Sequence, residues 1–449
     1  MKRLLFFLLV SFLSIACLAR DGQLDAAIQA AERGDYASAH QLFRALAEQG
    51  NGEAEFLLGL MYYKGQGVAR DYSEAAKWFR LSANRGSPSA QYNLGKLYSK
   101  GQGVAPDNTA ALKWFRFAAD RGLSDAQYDL GVAYELGSGV TKDIQEAVKW
   151  YRRAAAQGDV KAQFNLATLY ANGESIARDD AEAFKWYRKA AEQGFAQAQY
   201  GLAVMYERGR GVAKDSAEAL KWYQLSAAQG DAKAQYNLAL NYQRGQGVPQ
   251  DNAEALKLLQ RSAMQGLAQS QYGLGVAYYD GRGAAKDPAE SIKWFKLAAE
   301  QGHARAQFNL GVMYQRGAGV PQNYAEALKW YQLAAAQGDT GAQGNLGLMF
   351  NNGLGVPQNF SEALKWYRLA ASNGDEAAPA NLGRMYALGE GVPRNSVRAY
   401  MWFTIGAFAN DAMAIRNRDV LGKMISAQQK EDAQNLARDC QQRKLKGCD

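Results

Sequence analysis

The chain has 449 residues, with 52 lysines and arginines against 44 aspartates and glutamates, a formal charge of +8. The basic excess is dispersed, and no block of roughly five or six like charges marks a nucleic-acid arm. With 46 glycines, 8 prolines and a charged share of 21%, the composition fits helices punctuated by glycine turns and excludes a disordered chain.

At the start, Lys2 and Arg3 precede an apolar run from Leu4 to Ala16, followed by small residues ending at Ala19. We read residues 1–19 as a secretory signal peptide cleaved after Ala19. The run is short for a membrane span, and nothing later offers about 18 consecutive apolar residues. The mature chain is therefore expected to be periplasmic or secreted, with no transmembrane segment. A second reading takes Ser14-Ile15-Ala16-Cys17 as a loose lipoprotein box with Cys17 lipidated.

Residues 20–50 read as a helical capping repeat that lacks the glycine pair of the later repeats. From 51 to 410 the text is periodic. Trp78, Trp114, Trp150, Trp186, Trp222, Trp294, Trp330, Trp366 and Trp402 stand 36 residues apart or twice that, with Leu258 on the one skipped beat. A fixed period of this size marks one supersecondary unit copied many times, each copy needing a neighbour to bury its apolar face. The expected fold is all-α, an α-solenoid of about ten 36-residue helix-turn-helix repeats between helical caps.

In each repeat the first helix is expected to bury a face such as Ala90, Leu94 and Tyr98, and the second a face such as Ala111, Trp114, Phe115 and Ala118. Glycine pairs such as Gly101/Gly103 make the turn between them. Asp or Asn four residues later (Asp71 to Asn395) is expected to cap the second helix. In eight repeats a Glu three residues further on, from Glu74 to Glu362, suggests a full capping box. Residues 411–449 read as a helical cap whose amphipathic text includes Ala433, Leu436 and Ala437. It ends in Cys440 and Cys448, read as one disulfide, with two free thiols as the alternative.

The pattern Ala-x-x-x-Leu-Gly-x-x-Tyr-x-x-Gly-x-Gly-Val-x-x-Asp-x-x-x-Ala-x-x-Trp-Tyr-x-x-Ala-Ala-x-x-Gly, repeated over 51–410, resembles the Sel-1-like repeat, a relative of the tetratricopeptide repeat. The stretch from Ala399 is similar to the ending of bacterial exported members. The resemblance implies a right-handed superhelix acting as an adaptor between proteins in envelope processes such as exopolysaccharide export, signalling control or host contact. Two repeats depart from the pattern: the fourth has Gly173-Glu174-Ser175-Ile176 at its turn, and the sixth has Leu258 for tryptophan. A cysteine-rich branch of the family is linked to penicillin binding or β-lactamase-like activity. This chain lacks those cysteines, so the resemblance does not carry that activity over.

Catalysis finds no support in the text. The two histidines, His40 and His303, lie far apart in sequence without a motif partner. No enzyme activity, cofactor, metal or nucleic-acid partner is expected. Function is sought instead on the first-helix face. One column there is aromatic, including Tyr92, Tyr128, Tyr200, Tyr236 and Tyr272. Beside it runs an amide column of Asn93, Asn165, Asn237, Asn309, Asn345 and Asn381. A third column varies between repeats and includes Arg208, Arg244 and Arg316. On one reading these groups line the concave groove and hold an extended partner segment. On the other, the aromatics fill space between helices and the amides tie repeat to repeat. The expected protein is a monomeric, non-enzymatic scaffold for envelope or host proteins. The alternatives are a binder of peptidoglycan or exported polysaccharide and, third, a cell-wall hydrolase.

Overall fold

A computed structural model of the chain describes residues 22–448. The readings of a signal peptide over 1–19 and of lipidation at Cys17 fall outside the described residues. Every regular element among those described is a helix. The described residues divide between Trp222 and Tyr223 into two compact halves. Each half is a stack of helical hairpins, and every helix from Gly52–Lys64 to Phe360–Ser372 has 13 residues.

The hairpin Pro88–Lys100 and Asn108–Asp120 shows why the sequence folds this way. Ser87 caps the first helix by accepting from the Ala90 N–H, and Pro88 stands where a missing donor costs nothing. The helix closes at Gly101, φ 66°, whose N–H donates to the Leu97 carbonyl; the Gln102 N–H donates to the same oxygen. Gly103 also has positive φ, and a Cβ there would stand 2.2 Å from the Tyr72 carbonyl carbon. Tyr72 opens the second helix of the preceding repeat, so the turn is also a contact between repeats.

The second helix is capped as expected on one side only. Asp71 accepts from Ser73 and Glu74, and Asp107 from Ala110. The expected second bond, from the cap N–H to the Glu side chain, is not made at Asp71 or Asp287, because that N–H is already committed. Asp71 donates to the Tyr62 carbonyl, Asp107 to Tyr98 and Asp287 to Tyr278, at 2.8–3.0 Å. The glutamates turn outward instead. Glu74, Glu182, Glu218 and Glu290 each bind the lysine three residues on and accept from the tryptophan Nε1 four residues on. A full capping box is present at Ser426 and Gln429.

The buried face of the first helix also differs from the expected one. Ala90 and Leu94 are buried, joined by Leu97 and Gln91, while Tyr98 is half-buried. Tyr98 sits on the flank of the helix, where its hydroxyl accepts from Arg80 of the preceding repeat at 2.6 Å. Gly95 faces the second helix, and a Cβ there would stand 2.7 Å from the Phe115 ring.

In the C-terminal segment the helices Ala412–Gly422 and Ala427–Gln442 follow the helix Ser396–Phe408. Ala433, Ala437 and Cys440 form the buried stripe, packed in one cluster with Tyr400 and Trp402. Leu436, expected on that face, is 41% exposed, because it lies at the edge of the stripe, about 40° beyond Cys440 and about 100° from Ala437. Cys440 and Cys448 are joined in a disulfide with Cα atoms 5.4 Å apart.

The fourth repeat solves its turn differently. Ser175 stands in place of the second glycine and does not take positive φ. The Glu174 N–H lacks the bond to the helix end that its counterpart Arg210 makes to Met205 at 3.0 Å. Charge holds this turn instead: Asp180 takes Arg178 at 2.6 Å and Arg210 at 2.9 Å, and Arg210 also donates to the Ala171 carbonyl.

The Arg178 hydrogen bond, reinforced by Arg210, outweighs partial burial and pulls the Asp180 carboxyl down to about 2. A depressed carboxyl contributes stability that is present above the ordinary value near 4 and is lost as pH falls through about 2. The group is a quarter exposed, so solvent screening reduces the contribution to roughly 1 kcal/mol. Asp180→Asn should therefore lower stability by about that amount at pH 7 and by almost nothing near pH 2. Urea unfolding at pH 7, 4 and 2 measures the difference; a gap that does not narrow would show that the ion cluster does not stabilise the turn.

Candidate functional site

The residues singled out on the first-helix face divide by what they touch. Six members of the aromatic column pack on the second-helix ring of their own hairpin. The pairs are Phe56 with Phe79, Tyr92 with Phe115, Tyr128 with Tyr151, Phe164 with Tyr187, Tyr272 with Phe295 and Phe308 with Tyr331, with centroids 5.7–6.0 Å apart. Tyr200 and Tyr236 are half-buried like the rest. Burial raises the Tyr236 hydroxyl above its usual range, as expected when the anion would be desolvated.

The column also links successive repeats. Tyr92 donates to Asp129 at 3.0 Å. Burial raises the Tyr92 hydroxyl, and the Asp129 charge adds to that shift. Asp129 itself is raised by burial, partly offset by the bond from Tyr92.

The asparagines are not equivalent. Asn165 donates to the Tyr151 hydroxyl at 3.2 Å and Asn237 to the Tyr223 hydroxyl at 3.0 Å. These two tie a first helix to the second helix before it. Asn93 and Asn381 turn back to carbonyls of their own helix, Ser89 and Ala377. Asn309 and Asn345 are half-buried and make no side-chain hydrogen bond among the described residues. Arg208, Arg244 and Arg316 are exposed at the last position of their helices, where a cation also suits the negative end of the helix dipole.

Sequence reading passed over a different amide column, which is buried. Gln91, Gln127, Gln163, Gln199, Gln235, Gln271, Gln307 and Gln343 are each at most 5% exposed. Each donates through Nε2 to an alanine carbonyl eight residues back, at 3.0–3.3 Å, near the end of the preceding second helix. Six of the Oε1 atoms accept from the turn 30 residues on, whereas Gln91 Oε1 is buried without a partner among the described residues. Gln157 donates to Gln127 and Gln193 to Gln163; in the C-terminal half Gln265, Gln301, Gln337 and Asn373 serve Gln235, Gln271, Gln307 and Gln343. In the hairpin of Gly52–Lys64 and Tyr72–Asn84 the same place holds an ion pair, Glu55 with Arg85 at 3.0 Å. The signal was present in the text as a Gln recurring every 36 residues, after Ala in all but the Ser270-Gln271 pair, but polar residues are ordinarily assigned to the surface.

The two histidines have structural uses. His303 caps a helix by accepting from the Ala306 N–H, and its ring stacks on Tyr272 at 4.6 Å. His40 approaches the Tyr62 hydroxyl at 3.4 Å. Among the described residues no group of His, Cys, Asp and Glu is arranged to hold a metal. No helix among them is long and apolar enough to cross a membrane.

Comparison with known proteins places this geometry. The Sel1 repeat model matches eleven times, at 28–51, in nine consecutive 36-residue segments from 52–87 to 340–375, and at 377–408. A protective antigen of uropathogenic Escherichia coli displaying an SLR fold is 36% identical, with 97% of this chain and 95% of that one covered at a TM-score of 0.87. A Sel1 repeat protein from Oxalobacter formigenes is 37% identical, with 67% of this chain and 87% of that one covered at a TM-score of 0.55. No curated protein gives a significant match. Eleven matched segments on a stack of glycine-turned helical hairpins leave one assignment: the chain belongs to the Sel1 repeat family.

Proposed function

We propose that the protein is a non-enzymatic scaffold of the bacterial envelope, periplasmic or secreted, that binds protein partners through the first-helix face. Repeat solenoids of this kind are typical of protein–protein interaction scaffolds, and the similar Escherichia coli protein is a protective antigen. The leader-like text over 1–19 supports export. The carrying observation is the contrast within one face. Packing positions recur from repeat to repeat, while Asn309 and Asn345 remain uncommitted and the exposed last position changes from Arg208 and Arg244 to Asp280 and Arg316. Uncommitted amides can take the backbone of an extended segment, and varied neighbours can select its side chains.

Replacing Asn309 and Asn345 together by alanine should leave the melting temperature unchanged and weaken partner binding. At about 0.5–1.5 kcal/mol per lost bond, the affinity should fall roughly five- to 150-fold. Asn165→Ala with Asn237→Ala should do the reverse, lowering stability by about 1 kcal/mol each because buried tyrosine hydroxyls lose a donor. Pulldown from envelope extract, followed by titration of the captured partner, measures the first effect. Release of that partner by peptidoglycan or soluble exopolysaccharide would favour polymer binding instead. Unchanged affinity in the first variant would move the site off this face.

A further inference from the structure

Beyond the first-helix face, a cleft of about 680 Å³ opens in the N-terminal half between the helix Ile144–Ala156 and the turn of the next repeat. Its size falls within the roughly 300–1,000 Å³ of clefts that take ligands. Lys149, Arg152 and Arg153 line it, together with Gln145 and Tyr170; Val148, Ala156, Ile176 and Ala177 supply the apolar part, and no carboxylate lines it.

The two guanidinium groups are positioned by neutral neighbours. Arg152 donates to the Tyr170 hydroxyl. Arg153 lies over the Trp150 ring at 4.6 Å. Neither pairs with a carboxylate among the described residues, whereas Lys149 is held by Glu146 at 2.9 Å. Their positive charge is therefore fixed in place and uncompensated.

Two independent departures from the repeat meet at this cleft. At the position of Arg153 six other repeats expose an apolar side chain: Leu81, Phe117, Leu225, Leu297, Leu333 and Leu369. The facing wall, Ile176 and Ala177, belongs to the one turn that lacks the second glycine. The arginine that follows this turn, Arg178, is already paired with Asp180. Features shared by every repeat maintain the stack; features altered in adjoining repeats and brought together in space are free to serve recognition.

We infer that this cleft on the second-helix face binds an acidic peptide segment whose carboxylates pair with Arg152 and Arg153 and whose intervening apolar side chains rest on Val148 and Ile176. Guanidinium groups pair bidentately with carboxylates, which makes arginine the fitting residue at such a surface. The apolar floor favours a peptide over an acidic polysaccharide, which has no side chains to place there.

The test uses the full chain and a fluorescein-labelled peptide in which glutamates alternate with leucines, read by fluorescence anisotropy at low ionic strength. Arg152→Gln with Arg153→Leu reproduces the pairs already present at Gln224-Leu225 and Gln332-Leu333, so the fold should tolerate it. Peptide affinity is expected to fall tenfold or more with an unchanged melting temperature, while Arg261→Gln with Arg394→Gln, both exposed and outside either proposed site, changes it less than twofold. Should the double variant melt early, Arg153→Leu alone should still lose at least threefold. The inference is overturned by absent binding, by equal binding to the first variant, or by equal loss in the second. Alginate binding as tightly as the peptide, or equal binding of a lysine-for-glutamate peptide, overturns it as well.

Discussion

Tyr331→Ala should cost roughly 3–5 kcal/mol, among the largest effects of any single substitution in the C-terminal half. The ring is fully buried, packs 6.0 Å from Phe308, and lies so close to Gly311 that a Cβ there would stand 2.5 Å away. Its hydroxyl donates to Gln315 at 2.6 Å. Removing the ring empties the centre of one hairpin, and the neighbouring helices cannot collapse into the space without losing their own contacts. Tyr331→Phe, which keeps the ring, should cost only about 1 kcal/mol. Because hairpins contact chiefly their sequence neighbours, the loss should be local. Hydrogen exchange should accelerate over 304–336 and the adjoining hairpins, and hardly at all over 52–156. A uniform acceleration would contradict nearest-neighbour stabilisation.

Gly103→Val should be nearly as damaging, at roughly 2–4 kcal/mol. Part is conformational: φ at Gly103 is +68°, where a residue with a Cβ pays about 1–2 kcal/mol. The rest is steric, since the new Cβ would meet the Tyr72 carbonyl at 2.2–2.3 Å, and backbone moves less readily than a flexible side chain. The fourth repeat shows how the chain escapes this conflict. With Ser175 at the equivalent place, the turn gives up positive φ and a closing bond and recruits the Asp180 ion cluster. Urea unfolding would measure the cost; an unchanged midpoint would mean that turn length, and not glycine, sets the geometry.

The hairpin plan was legible because period, glycine pairs and caps all point to one structure. Three details were not. The glutamates after the caps looked like capping boxes because spacing alone is shared by both uses. What decides is whether the cap N–H is free, and the tyrosine carbonyl nine residues back takes it. Tyr98 looked like core and Leu97 did not, since an i, i+4, i+8 reading drifts round a 3.6-residue helix by 40° per step. The buried glutamines were missed because their partners are backbone carbonyls and side chains of a turn 30 residues away, which no local pattern displays. For the candidate site, sequence found the columns but not their division: Asn165 and Asn237 meet tyrosine hydroxyls, whereas Asn309 does not, because a phenylalanine stands at 295 where Tyr151 and Tyr223 stand.

The glutamine ladder bears on how such a chain can change its length. The rungs at Gln235, Gln271, Gln307 and Gln343 are wired with the same offsets, eight residues back and 30 residues on. Excising residues 268–303 would present Gln307 with the Ala263 carbonyl in place of Ala299, one alanine substituted for its equivalent, with every remaining rung intact. Losing a single residue within that span would shift the amides past their acceptors and strand buried polar groups. Recombination between copies of the repeat thus passes from one foldable chain to another in whole steps, while small insertions inside a helix meet an energetic barrier. The wiring that joins neighbours also rules the inventory of lengths open to descent.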